Sequence, residues 1–350
     1  MYNNFLIRGR ASFTLGGQWG SEGKGGAVAY MAKTLCEQHR MFDIVTTNNG
    51  VQSGHTSVHS GVTRVAFHLP TAPLIAATYG FFPLVYLNAG AIINPDVLEQ
   101  ELRDLKFSGD LLIHPNAAIV TEACRLAEMK RDSAQTKIAS TRKGVGEALA
   151  RKVLRYDMLA KGHPFTKQFV NRLDLNSIMS LGKSVLVEIP QGIGLSLDSQ
   201  FYPYCTSRNC TVGQAMADAG IHPNFYGASL LVLRTFPIRV GSIIEAGAEL
   251  GTSGGHYPDQ REVSWNELKQ KPEITTVTKR VRRVFSFSFE QMHEAMALTR
   301  PTHVHLTFCD YQDEEANRKL KQEITRTALN LNLTPPEILC HYGPSTADVR

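Results

Sequence analysis

Eight short runs rich in aliphatic, β-branched and aromatic residues recur along the chain, at 11–15, 43–47, 84–87, 111–114, 184–189, 230–236, 303–309 and 337–341. Continuous apolar runs of this length predict strands covered on both faces, and therefore a largely parallel sheet. Helical periodicity fills the gaps and predicts helices over 26–38, 95–105, 121–134, 146–160, 290–298 and 314–329. Strand and helix alternate. The expectation is an α/β fold: one large domain over 1–350, with a mostly parallel central sheet flanked by helices. The most apolar stretch, 71–95, is interrupted by Pro73, Gly80, Pro83, Asn88 and Gly90. It reads as buried strands joined by turns, not as a membrane span.

Composition narrows the class. The chain has 350 residues, 43% of them hydrophobic and 20% charged, with a net charge of +5. A mild basic excess suits an enzyme that handles phosphates and carboxylates, and falls far short of a dedicated nucleic-acid binder. Six cysteines lie scattered with no C-x-x-C pair. That argues against a disulfide framework or structural zinc and for a reducing cytoplasm. The first thirteen residues lack the apolar core of a secretory signal.

The first predicted strand runs into Gly16-Gly17-Gln18-Trp19-Gly20-Ser21-Glu22-Gly23-Lys24-Gly25-Gly26 and then a helix. Glycines at a strand end let backbone N–H groups approach phosphate, the helix start adds partial positive charge, and Lys24 adds a full one. The P-loop pattern fails here at Gln18 and at Gly25, and no spacing fits a dinucleotide fingerprint. A plain strand-to-helix turn is the bland alternative; the trailing Gly-Lys-Gly favours phosphate. The loop resembles the G-x-Q-W-G-D-E-G-K-G loop of adenylosuccinate synthetases, with Ser21 where that family has its catalytic aspartate.

Further segments resemble that family in the same order along the chain. Gln52-Ser53-Gly54-His55-Thr56 is similar to N-A-G-H-T, which implies His55 as general acid and electrophile at purine O6 and the Gly54 carbonyl as a Mg²⁺ ligand. In a segment resembling G-T-T-x-R-G-I-G, Thr141 would contact the nucleotide 5′-phosphate with Ser140 also at the purine nucleotide, and the spacing of Arg155 implies an arginine reaching the neighbouring site of a homodimer. Gln191 would bond purine O6 and Thr206, in Y-P-Y-C-T-S, the 5′-phosphate. His68 fits a structural histidine. The run 275–283 resembles the loop that clamps L-aspartate, implying Thr276, Val277, Thr278, Arg280 and Arg282 as its ligands; forked guanidinium groups suit carboxylates. Asp310 matches the aspartate that reads guanine of GTP, but Phe308 replaces a stacking lysine, so ATP or dATP becomes a credible donor. Gly343 and Pro344 match a turn beside the donor nucleoside. Gly20, Glu22, Gly23, Lys24, Gly25, Gly54, His55 and Thr56 complete the implied triphosphate site, and Ser21 with Gly54 the Mg²⁺ site.

Ser21 changes the expected substrate. A serine hydroxyl is no base at neutral pH, but it leaves room beside N1 for the 2-amino group of guanine. The change resembles the phage branch that makes 2-aminoadenylosuccinate. The implied reaction condenses L-aspartate with C6 of dGMP through a 6-phosphoryl intermediate, with Ser21, Lys24, His55 and Gln191 as catalytic residues and Mg²⁺ as cofactor. Its product would feed diaminopurine DNA, in a host cytoplasm. A conventional synthetase using IMP and a non-catalytic nucleotide-binding homologue are the alternatives. No membrane or nucleic-acid partner is expected.

Overall fold

The eight apolar runs form one sheet in the computed structural model, which describes residues 2–350 apart from 3, 131–132, 157 and 276–278. Its strands are β1 (Ala11–Gly16), β2 (Ile44–Thr47), β3 (Leu84–Leu87), β4 (Leu111–Ile113), β5 (Val185–Gly192), β6 (Tyr226–Arg234), β7 (His303–Thr307) and β8 (Glu337–Cys340). They lie in the order β8-β7-β6-β1-β5-β2-β3-β4, and every neighbouring pair is parallel. Successive side chains of a strand face opposite sides. Leu230 and Val232 of β6 therefore pack with Met31 and Leu35 of helix α1 (Lys24–Glu37), while Leu231 and Leu233 pack with Met292 and Met296 of helix α2 (Phe289–Thr299). Both faces of the sheet are covered, as the unbroken apolar runs require.

The order places a topological switch at the centre. The chain leaves β1 and builds outward through β2, β3 and β4. It then returns to insert β5 beside β1, and crosses to the other side for β6, β7 and β8. Loops at the carboxyl ends of β1, β5 and β6 diverge there and open a crevice, the usual ligand position in open α/β sheets.

Three expectations are corrected. Residues 71–95 contain a helix, Thr71–Ala76, before β3. Pro73 sits in its first turn, where a missing N–H costs nothing. The buried Glu188 carboxylate of β5 caps it, accepting from the Thr71 and Ala72 amides at 2.8 Å each. The helix expected over 121–134 breaks into Glu122–Met129 and Ala134–Lys137, the second capped by Ser133. The helix expected over 146–160 spans Val145–Leu154 and ends at Arg155, whose φ is 64°. His68 is structural as expected: it is buried against Glu101, and its Nε2 accepts from the Asn94 amide.

Candidate active site

The loop between β1 and α1 is shaped by a carboxylate beneath it. Glu22 is fully buried; its Oε1 accepts from the Gln18 and Gly20 amides at 3.1 and 2.8 Å, and its Oε2 lies 2.9 Å from Lys24 Nζ. Gly16 and Gly192 make this possible, because a Cβ on either would overlap the carboxylate. Glu22 was expected at the triphosphate. Its side chain instead anchors the loop from inside, where a negative charge orders amides without repelling phosphate. Gly20, Ser21 and Gly23 take positive φ values of 82°, 57° and 82°, so the chain curls and leaves Ser21 exposed. α1 begins with no side-chain cap and no acidic residue in its first turn. Its leading N–H groups are therefore available to an anion.

A cleft of about 810 Å³ opens above this loop. Gly20, Ser21, Gly23, Lys24, Gly25, Gln52, Gly54, His55, Thr56, Ser140, Thr141, Gln191, Thr206, Arg282, Asp310, Gly343 and Pro344 all line it. The convergence is close at its centre. Lys24, 5% exposed, also donates to the Gln191 carbonyl. Gln191 adopts φ 64° and its amide donates to Thr206 Oγ1 at 2.8 Å. His55 begins a hairpin (His55–His59 with Val62–Ala66) that packs on α1; Gly25 touches the Thr56 backbone so closely that a Cβ there would collide. Both His55 ring nitrogens and both Gln52 amide atoms are buried without a hydrogen-bond partner among the described residues. Burial, with the Lys24 charge, pushes the His55 imidazole down to about 3. His55 is thus neutral, able to donate one hydrogen bond and accept another.

The two arginines of the basic run part company. Arg282 lines the cleft, and its Nη1 donates to Ser21 Oγ at 2.8 Å. Burial lowers its pKa to about 10, so it stays cationic. Arg280 faces an adjoining cavity of about 1090 Å³ that shares Ser140, Thr141 and Arg282 with the cleft. Its guanidinium donates to the carbonyls of Gly241, Ala139 and Ser140 at 2.8–3.1 Å. In this conformation Arg280 staples the 139–140 turn and is not open to a ligand carboxylate, contrary to expectation. Thr276, Val277 and Thr278 lie outside the described residues. Arg155 stands exposed at the end of its helix and does not line the cleft.

Several cleft residues escaped the sequence reading. Arg234 ends β6 and is 1% exposed; its guanidinium stacks 3.6 Å from the Phe308 ring centroid and forks the Glu273 carboxylate. Arg239 lies 4.7 Å over Trp19 and donates to the carbonyls of Tyr204 and Gly255. A charged residue closing a buried apolar strand was the signal available for Arg234.

A profile of the adenylosuccinate synthetase family matches residues 13–175 and 157–321. The chain belongs to the adenylosuccinate synthetase family. Among its relatives, N6-succino-2-amino-2′-deoxyadenylate synthase of Vibrio phage phiVC8 is 34% identical, over 95% of this chain and 95% of that protein. Adenylosuccinate synthetase of Methanocaldococcus jannaschii is 31% identical, over 86% and 83%. The solved structure of cyanophage S-2L succinoaminodeoxyadenylate synthetase, bound to dGMP and dATP as an energy donor, superposes with a TM-score of 0.84 at 29% identity. That match covers 97% of this chain and 95% of the other. The family fold accounts for the parallel sheet and its central crevice. No helix among the described residues is long and apolar enough to cross a membrane.

Proposed function

We propose that this family member joins L-aspartate to C6 of dGMP, at the expense of ATP or dATP, giving 2-amino-2′-deoxy-N6-succinyladenylate, nucleoside diphosphate and phosphate. The observation that carries the reading is Ser21 at the mouth of the Lys24–His55–Gln191 cluster, its hydroxyl already accepting from Arg282. A carboxylate here would suit IMP. A hydroxyl leaves space for the guanine 2-amino group and keeps one lone pair free to accept from a guanine N–H. The relatives named for the 2-amino product and for dGMP support the same choice.

In the first step O6 of dGMP attacks the γ-phosphorus, the N1 proton passes to a phosphate oxygen of the substrates, and the nucleoside diphosphate leaves. Lys24 and the first-turn amides of α1 hold the triphosphate charge, and a neutral His55 donates toward the phosphoryl or O6 oxygen. Gln191 orients the purine. In the second step the aspartate amine attacks C6 and phosphate departs, with Arg282 gripping an aspartate carboxylate. No cluster of three metal-binding side chains occurs among the described residues, and Ser21 and Gly54 are neutral donors. That donor set fits Mg²⁺ arriving with the triphosphate and completed by phosphate and water oxygens, as is usual for this ion. Mg²⁺, when bound, neutralises charge on the transferred phosphoryl group.

A homodimer belongs to the same reading. Leu126 and Met129 on one helix, Val153 and Leu154 on the helix packed against it, and Tyr156 and Met158 just past Arg155 are exposed, apolar side chains that a second copy would cover. Mixing an Arg155→Ala chain with a Lys24→Ala chain should restore activity above either alone. Sedimentation as a monomer at micromolar concentration counts against the dimer.

The direct test incubates the protein with dGMP, L-aspartate, Mg²⁺ and ATP or dATP, and follows phosphate release and the mass of the succinylated nucleotide. IMP is offered in competition. Turnover of IMP without dGMP makes this a conventional synthetase. Stabilisation by nucleotides with no phosphate release makes it a binding homologue.

A further inference from the structure

Four separate segments are tied into one charged chain along the cleft. Phe308 and Tyr311, after β7, lie beside Asp310, where the resemblance puts the donor base. Arg234 stacks on Phe308 at 3.6 Å and reaches Tyr311 at 5.7 Å. Its Nη1 and Nη2 fork the two oxygens of Glu273, the first at 3.1 Å, and the Tyr311 hydroxyl adds a bond to Glu273 Oε1 at 3.0 Å. Beyond Glu273 the chain continues. Its Oε2 is 3.9 Å from Arg282 Nε, and its carbonyl accepts from the Arg282 amide at 2.9 Å. Arg282 then donates to Ser21 Oγ.

Burial alone would push the Glu273 carboxyl up, but Arg234 beside it holds it below the ordinary range. Glu273 is therefore an anion held between the cation under the donor-base platform and the cation on Ser21. A buried ion pair is weak support for a fold, since apolar residues of similar volume do as well or better. What this pair does instead is connect the surfaces that two different ligands would occupy.

We propose that Glu273 is a positioning residue that couples occupancy of the Phe308 platform to the placement of Arg282 and Ser21, so that the donor nucleotide and dGMP with aspartate bind cooperatively. The inference rests on the proposed reaction for the identity of the ligands. A base settling on Phe308 fixes Arg234, Arg234 fixes Glu273, and Glu273 sets the register of Arg282. By linkage the effect runs equally in both directions.

The test is a coupling measurement without turnover. The affinity for dGMP, and for L-aspartate in the presence of dGMP, is measured by calorimetry with and without Mg²⁺ and the non-hydrolysable analogue AMPPNP. In the parent, AMPPNP tightens the other ligands by about fivefold or more, the lower end of ordinary allosteric coupling. In Glu273→Gln that factor falls toward one. Tyr311→Phe, which deletes one hydroxyl from a half-buried ring, lowers it part-way and serves if the first variant folds poorly. A purely structural role lowers the melting temperature and weakens each ligand separately but leaves the factor intact; that result overturns the proposal, as does a parent with no coupling. Since only binding is read, a parent that never releases phosphate sinks the proposed reaction while leaving this inference to stand or fall on its own factor.

Discussion

Glu22→Gln tests how the loop between β1 and α1 is held. Glutamine keeps one carbonyl oxygen for the Gln18 and Gly20 amides, so two of the three bonds survive. Its NH₂ group then faces Lys24 Nζ at the 2.9 Å now spanned by an ion pair, donor against donor. Lys24 is 5% exposed and, among the described residues, keeps the Gln191 carbonyl as its one partner. Removing one member of a buried pair costs about 3–5 kcal/mol, because the other charge is left without compensation. That is a large share of the roughly 5–15 kcal/mol by which a domain is stable. At the lower figure the melting temperature should drop by about 4 °C for a chain of this length. Two further measurements isolate the cause. Glu22→Gln with Lys24→Met removes both charges and should recover most of the loss, giving an interaction energy of about 2 kcal/mol or more. A triphosphate also supplies negative charge to Lys24, so saturating Mg-ATP should stabilise Glu22→Gln more than the parent and narrow the gap. The assay is thermal and denaturant unfolding of the four proteins with and without Mg-ATP. If Glu22→Gln lies within 1 kcal/mol of the parent, or its loss simply adds to that of Lys24→Met, the carboxylate is not what holds the loop.

Three other predictions use different residues. Ser21→Asp sets a second charge partner beside Arg282, in a left-handed conformation that aspartate tolerates; the ratio of kcat/KM for dGMP over IMP should fall by about tenfold or more, and an unchanged ratio removes Ser21 from substrate choice. For His55, the folded pKa is depressed to about 3, so its contribution to stability is intact above pH 6.5 and is lost as pH falls toward 3. At pH 5 the loss is about 2 kcal/mol, so His55→Asn should flatten the stability slope between pH 4 and 6.5; a parent kcat/KM profile with a limb near 6.5 that His55→Asn abolishes contradicts a neutral imidazole. Phe308→Ala should raise KM for the donor about tenfold through loss of base stacking, and an unaltered donor KM moves the base elsewhere.

Most of the fold and of the cleft is legible because their signals are local. The eight strands announce themselves as apolar runs, and only β6 begins well ahead of its run, where Tyr226-Gly227-Ala228-Ser229 looks unlike a strand. Gly227 is there because the chain passes close to the Ala11 carbonyl, a fact about β1. The loop between β1 and α1 is legible for the same reason as any turn: its backbone requires glycine at 20 and 23 whatever surrounds it.

Three of the misreadings have remote causes. The helix at Thr71 is started by Glu188, more than a hundred residues away. Arg280 is turned from the cleft by the carbonyls of Ala139 and Ser140, at a similar distance in sequence. Glu22 faces inward because Gly192, on another strand, leaves it room. Backbone demands are written beside the residues that meet them, whereas a charged side chain goes wherever the fold supplies its counter-charge. That is why a motif can name the cleft's residues and still send two neighbouring arginines into a cleft that Arg282 lines and Arg280 does not. It also makes Ser21 a stronger reading than Arg280: Ser21 is defined by its own left-handed backbone at the loop's exposed turn, and Arg282 comes to it.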